Sequence, residues 1–185
     1  MVFHPIAPHI TEEIWELMGK EGYISLASWP KYDPSLLNID NEFKWNLLNN
    51  ILDDINSIRL AANINTIKSV KIIIADKWKF EFYSIFMELI EKTKNQGEIM
   101  KELMKKENLK VNSKFISQIT SKILKNIGKF PRHNLSQSDE LQFFKQIELI
   151  IQKKYNCEVK ILVEHQSESK KAIQALPGRP AIVIT

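Results

Sequence analysis

The side chains best suited to catalysis or metal binding are few and widely spaced along this chain. Its four histidines are His4, His9, His133 and His165. None of them has metal-ligand spacing to another histidine, a cysteine or a carboxylate. The single cysteine, Cys157, belongs to the apolar set of a predicted strand, where a reactive thiol is not expected. No GxGxxG, GxxxxGK[ST] or GxSxG motif is present. We therefore expect no catalytic residue and no metal site.

Positive charge is concentrated in the middle of the chain. Residues 97–132 hold nine Lys or Arg against three Asp or Glu, whereas residues 1–60 hold four against nine. The apolar spacing over residues 113–127 predicts an amphipathic helix with its lysines within an arc of about 80°. These lysines are Lys114, Lys122, Lys125 and Lys129. Such a stripe can follow a phosphate backbone by counterion release, although an ordinary solvated face has the same pattern.

The loop after this helix, KFPRHNLS at residues 129–136, adds Arg132 and His133. An arginine can contact a phosphate or a guanine edge, and a histidine can stack on an unpaired base. A surface Arg–His pair is also common where neither residue has a function. We include both residues among the candidates for RNA binding.

Periodicity and turn signals predict the elements that carry these residues. Strands are expected at Lys68–Ala75, Cys157–Glu164 and Ala181–Ile184. Helices are expected at residues 8–18, 41–62, 77–94, 98–107, 113–127 and 168–176, and a long helix that ends at Tyr155 is expected to be capped by Ser136 or Ser138. Thr11 is a possible cap of the first helix, and Ser167 is expected to cap the last. Gly128 is expected to be a left-handed C-cap.

The expected fold class is α+β, with a change of pattern near residues 63–66. Residues 1–64 are expected to be the remnant of a helical bundle, in which the first two long helices pair and the tryptophans pack. Residues 65–185 are expected to form a small α/β domain, with a three-stranded, largely parallel or mixed sheet packed by helices. The chain opens inside an apolar pattern, MVFHPIAPHI, which favours a fragment of a longer protein.

Two stretches resemble one protein family. Residues 4–30, with HPIAPHITEEIW and then ASWP, resemble the end of the anticodon-binding helical bundle of class I aminoacyl-tRNA synthetases of the leucyl, valyl and isoleucyl branch. Residues 174–182, QALPGRPAI, resemble the C-terminal tail of leucyl-tRNA synthetases of the archaeal and eukaryotic cytosolic type. The valyl and isoleucyl enzymes lack this ending, so the two stretches together favour the leucyl family.

The resemblance implies the C-terminal part of an enzyme that joins leucine to its tRNA with ATP and Mg²⁺. The His-Ile-Gly-His-like and Lys-Met-Ser-Lys-Ser-like adenylation motifs are absent, so this segment is expected to use neither cofactor itself. Its expected partners are leucine tRNA, contacted through the long variable arm, and the catalytic and editing domains of the same protein. A lone cysteine, no signal-peptide pattern and no apolar run of about 18–20 residues favour a cytoplasmic location without a membrane contact.

Further RNA-binding candidates follow from this implied role. Glu168, just ahead of the tail motif, is expected to accept a hydrogen bond from a base amino group. Ile67 and Lys68, at the start of the first strand, are expected to pack on and anchor the tip of the arm. Lys170 and Lys171 complete the set. Two other hypotheses remain: a protein-docking module of a class I synthetase of the valyl or isoleucyl branch, and a small independent enzyme, which the missing motifs disfavour.

Overall fold

The computed structural model describes residues 1–185, with residue 36 described by its backbone only. The chain divides into two compact units, residues 1–38 and residues 39–185. No helix among the described residues has both the length and the apolar character needed to cross a bilayer.

The first unit contains helix α1 (Pro8–Leu17) and two short 3₁₀ turns, Ile24–Leu26 and Pro34–Leu36. The Glu12 carboxylate accepts hydrogen bonds from the backbone N–H groups of Ile24 (2.8 Å) and Ser25 (3.3 Å), which ties α1 to the first of these turns. The prediction that Thr11 caps the helix is wrong. Its hydroxyl donates to carbonyls of the preceding turn, because the helix begins three residues before it.

The second unit is a mixed three-stranded sheet covered by helices. Its strands are β1 (Ser69–Ile74), β2 (Glu158–Val163) and β3 (Ala181–Ile184), in the order β2-β1-β3. Its helices are α2 (Ile39–Ala61), α3 (Lys77–Lys92), α4 (Gln96–Leu103), α5 (Glu107–Lys110), α6 (Ser113–Lys125) and α7 (Gln137–Tyr155). β1 pairs parallel with β2 and antiparallel with β3. The predicted α+β class and the mixed sheet are therefore confirmed.

Two apolar clusters hold the second unit together. In one, the buried faces of α2 and α7 pack with the sheet; its members include Leu47, Ile51, Ile55, Val70, Ile72, Phe144 and Ile151. In the other, α3, α4 and α6 pack on one another; its members include Phe82, Tyr83, Phe86, Ile99, Leu103, Ile116 and Ile123. Helix α2, which the sequence assigns to a bundle, thus shares a core with β1. The division at residues 64 and 65 stays a prediction, as does the pairing of α2 with α1.

Of the three tryptophans expected to pack in the bundle, Trp15 is half-buried and the other two are exposed. Trp29 and Trp45 are each 65% exposed, so the packing role expected for them is wrong in this structure. For Trp45 the reason lies in α2, which turns Leu47 and Ile51 toward the sheet and leaves the face of Trp45 outward.

Two further local expectations are wrong. The segment expected to be helical over residues 168–176 forms only a 3₁₀ turn, Ala172–Gln174, because the hydroxyls of Ser167 and Ser169 accept nearby backbone N–H groups and compete with helical hydrogen bonds. Gly128 is not a left-handed cap. Helix α6 ends at Lys125 with Asn126 as its C-cap, and the 3₁₀ turn that follows, Ile127–Lys129, contains this glycine.

Candidate nucleic-acid interface

A cleft of about 670 Å³ lies on the second unit, between α2 and two loops. Helix α2 supplies Phe43, Asn46, Asn50, Asp53 and Asp54 to one wall. The loop after α6 and the turn before β3 supply Lys129, Phe130, Arg132, His133 and Arg179 to the other. The cleft therefore combines cations, amides, carboxylates and aromatic rings, the groups with which proteins contact phosphates and unpaired bases.

Arg179 is held in a defined orientation although its side chain is exposed. One guanidinium nitrogen, Nη1, donates to the Lys129 carbonyl oxygen at 3.3 Å. The guanidinium carbon lies 5.0 Å from the centroid of the Phe130 ring, a cation–π distance. These two contacts already restrict the rotamers of the Arg179 side chain. Its guanidinium group therefore loses less conformational entropy when it binds a ligand.

The turn that carries Arg179 is fixed by a buried carboxyl group. Leu176 and Arg179 exchange two backbone hydrogen bonds, and Gly178 between them has φ +67°. The Gly178 N–H donates to Glu140 Oε2 at 2.9 Å, and Glu140 is fully buried near the start of α7. Burial raises the pKa of the Glu140 carboxyl to about 7, against the opposing effect of the Gly178 hydrogen bond.

A second, smaller cleft of about 350 Å³ adjoins the first, because Asp54, Phe130, Arg179 and Pro180 line both. Lys122 of α6 and Lys171, just before the 3₁₀ turn, also line it. Five of the sequence candidates thus meet along two connected clefts: Lys122, Lys129, Arg132, His133 and Lys171.

The other candidates lie away from these clefts. Lys114, Lys125, Glu168 and Lys170 are exposed but line neither. Lys68 is exposed at the start of β1, where its N–H donates to the Thr185 carbonyl. Ile67 is only 3% exposed and belongs to the sheet core, so its side chain is not part of the surface.

His133 has partners of its own. Its Nε2 lies 2.7 Å from Asp40 Oδ1, and its ring meets Phe43 edge-on with the centroids 5.5 Å apart. These contacts position the ring on the wall of the first cleft, where it can stack on a ligand.

Comparison with known proteins finds similar sequences in one family of enzymes. Residues 1–74 match the family described as the anticodon-binding domain of tRNA ligase. The chain is 30% identical over 180 residues to a leucine–tRNA ligase of Pyrococcus abyssi, covering 97% of this chain and 18% of that protein. It is 32% identical over 186 residues to that of Methanococcus aeolicus, covering 99% and 18%. The chain is homologous to leucyl-tRNA synthetases.

The resemblance seen in the two sequence motifs is thus confirmed, since the alignments cover 97% and 99% of this chain. A third relative, from Aeropyrum pernix, is 27% identical over 185 residues and again matches 98% of this chain and 18% of its own length. The chain therefore spans about 18% of the length of these relatives. The family description supports tRNA recognition as the general role of this region.

One buried lysine holds the start of the tail motif, residues 174–182, in place. Lys79 of α3 donates to the carbonyls of Ile173 (2.6 Å) and Ala175 (2.9 Å), and its ammonium lies 2.9 Å from Glu164 Oε2. Burial lowers the pKa of Lys79, while the hydrogen bond and charge of Glu164 raise it. Sequence reasoning missed both Lys79 and Arg179. The Pro-Gly-Arg-Pro turn was a signal for Arg179, whereas nothing in the sequence marks Lys79 as buried.

We expect Glu140 to make the stability of the second unit fall as the pH rises from about 4.5 to about 7. Over that interval the unfolded chain releases the Glu140 proton while the folded chain retains it. The contribution of Glu140 to the free energy of unfolding is therefore complete below pH 4.5 and lost above pH 7. At roughly 1.4 kcal/mol per pH unit, the interval corresponds to about 3 kcal/mol. Glu140→Gln should remove this slope and be the more stable protein at pH 8, as measured by urea unfolding across pH.

The matched control for this measurement is Glu148→Gln on the same helix, which should keep the wild-type pH dependence. A Glu140→Gln protein with the wild-type slope would contradict the assignment of that slope to Glu140.

Proposed function

We propose that this chain is the C-terminal tRNA-recognition region of a leucyl-tRNA synthetase. In this role it holds leucine tRNA so that a catalytic domain elsewhere in the same protein can join leucine to the acceptor end, with ATP and Mg²⁺ used there. The observation that carries the proposal is the convergence of Lys129, Arg132 and Arg179 on one cleft of a chain whose relatives are leucine–tRNA ligases. Its partners would then be leucine tRNA and the catalytic and editing domains. A cytoplasmic location follows from the proposal and stays a prediction.

The lining of the first cleft suits unpaired nucleotides better than a continuous duplex. Asn46 and Asn50 offer amide donors and acceptors, and Asp53 can accept from a base amino group. Phe43, which is only partly buried, offers its ring for contact with bases. The cations around them can hold the backbone, which positions the RNA without reading its sequence. The tip of the long variable arm of leucine tRNA is a ligand of this kind, and we propose it as the element that is bound.

We expect the chain to bind leucine tRNA more tightly when the variable arm is intact than when it is trimmed to a short loop. The preference should shrink in Arg132→Gln, because that change removes a cation from the cleft without altering the core. Affinity should also fall steeply with salt, since each phosphate contact releases counterions. Fluorescence anisotropy over a salt series measures both effects.

Lys153→Gln is the matched control, because Lys153 is exposed on α7 and lines neither cleft. Equal affinity for the intact and trimmed arms would contradict variable-arm recognition and leave a general basic surface.

The second candidate is a protein-docking module of a class I synthetase. Helix α1 favours it, because its apolar stripe is exposed: Ile10, Ile14, Leu17 and Met18 are 48–86% exposed, and none of its residues is buried. An apolar docking surface would bind its partner with little dependence on salt. Absence of tRNA binding by the chain at low salt would favour this candidate over the first.

A further inference from the structure

Three separate segments of the chain each place one cation on the lining of the second cleft. Lys122 comes from α6, Lys171 precedes the 3₁₀ turn, and Arg179 comes from the turn before β3. Among the described residues that line this cleft, Asp54 is the one carboxylate. None of the three cations forms an ion pair within the described part of the chain. Three like charges around one small concavity repel one another, and an anion placed between them would relieve that repulsion.

The donors of this cleft suit the oxygens of a phosphate group. The guanidinium of Arg179 uses one N–H on the Lys129 carbonyl and retains its remaining donors for a ligand. A planar fork of this kind matches phosphate geometry, and ammonium groups such as those of Lys122 and Lys171 serve as point charges. Ser57 and Gln174 add neutral hydrogen-bonding groups to the lining.

We propose that the second cleft binds one phosphate of the RNA backbone through Lys122, Lys171 and Arg179. This inference rests on the proposed function, because it takes the phosphate from bound tRNA. Arg179 and Phe130 line both clefts, so a nucleotide whose phosphate occupies the second cleft has its neighbour at the first. The second cleft thus fixes the backbone, and the first cleft receives the bases.

The direct test is the salt dependence of leucine tRNA binding by Lys122→Gln, Lys171→Gln and the double variant. Loss of one phosphate contact lowers the slope of log K against log salt by roughly 1, which is about a tenfold loss of affinity near 0.1 M salt. Because two cations still hold the phosphate in each single variant, we expect part of this loss there and most of it in the double variant. Arg179→Lys keeps the charge but loses the fork and the ring contact, so it should weaken binding while changing the slope little.

Two comparison variants make the test specific. Lys153→Gln makes the same change of charge on α7, outside both clefts, and should leave the slope unchanged. The second comparison variant is Lys114→Gln. Lys114 lies eight residues before Lys122 on the same helix, about 12 Å along its axis, and does not line the cleft. A loss for Lys114→Gln equal to that for Lys122→Gln would overturn the proposal in favour of a lysine stripe along α6.

The outcomes separate this proposal from the one on which it rests. Tight, salt-sensitive tRNA binding by the wild-type chain, with unchanged slopes in the Lys122 and Lys171 variants, would overturn the phosphate site and leave the proposed function standing. Failure of the wild-type chain to bind tRNA would overturn the proposed function itself. The thermal midpoints of the lysine variants, expected to equal that of the wild type because these side chains are exposed, exclude unfolding as the cause of a loss.

Discussion

Lys79→Met should destabilise the second unit by about 3–5 kcal/mol, the cost of removing one partner from a buried ion pair. Lys79 is fully buried, and it is the donor for two backbone carbonyls as well as the partner of Glu164. Methionine fills similar space but leaves the carboxylate of Glu164 without its counter-charge and the carbonyls of Ile173 and Ala175 without a donor. The expected loss is a large part of the stability of an ordinary domain. Urea unfolding followed by far-UV circular dichroism measures it.

Two variants separate the buried pair from a general effect of charge. Lys77→Met, on the same helix but at an exposed position, should cost less than about 0.5 kcal/mol. Adding Glu164→Gln to Lys79→Met should recover part of the loss, because no uncompensated charge then remains and an amide oxygen can still accept from the Asp76 N–H. Similar small losses for Lys79→Met and Lys77→Met would show that the pair contributes little.

Gly178→Ala should destabilise the second unit by about 2–5 kcal/mol and weaken tRNA binding. The left-handed backbone of Gly178, with φ +67°, costs an alanine roughly 1–2 kcal/mol. An added Cβ would also lie 2.8 Å from Phe43 Cζ and 3.0 Å from Pro131 Cγ, and overpacking of this kind costs about 1–3 kcal/mol. Relief of that clash moves the turn that carries Arg179, so the affinity for leucine tRNA should fall with the stability. Urea unfolding and anisotropy test the two effects.

Gly128→Ala is the control for this substitution. A Cβ at Gly128 would meet nothing within 4 Å, and its φ is not positive, so the change should be neutral or slightly stabilising. An equally harmless Gly178→Ala would show that the turn adjusts freely and that its conformation does not set the position of Arg179.

The elements with strong local patterns could be predicted from the sequence. β-branched runs predict β1 and β2, and the apolar repeats predict α2, α3, α6 and α7, because these patterns reflect a buried face that recurs at a fixed spacing. The segment at residues 168–176 could not be predicted in this way. Its serine hydroxyls and the Lys79 ammonium compete for the backbone groups that a helix would use.

Part of the candidate interface could also be predicted. The basic composition of residues 97–132 indicated a polyanion, and the lysine-rich helix and the loop after it supplied Lys122, Lys129 and Arg132. Composition did not separate these residues from Lys114 and Lys125, because all of them are exposed lysines or arginines on or after one helix. The two groups differ in whether they line a cleft, and the position of a cleft depends on which other segments lie beside the helix.

The sequence by itself determined the family, the α+β class and the basic character of the surface, since motifs, periodicity and charge are properties of neighbouring residues. Only the tertiary structure decided that Lys122, Lys171 and Arg179 share one cleft and that Glu140 and Lys79 hold the tail segment in place. These contacts join residues 38 to 96 positions apart in the chain, and they form because α3 and α7 both lie against the tail segment. A local sequence pattern does not specify contacts between residues so far apart in the chain.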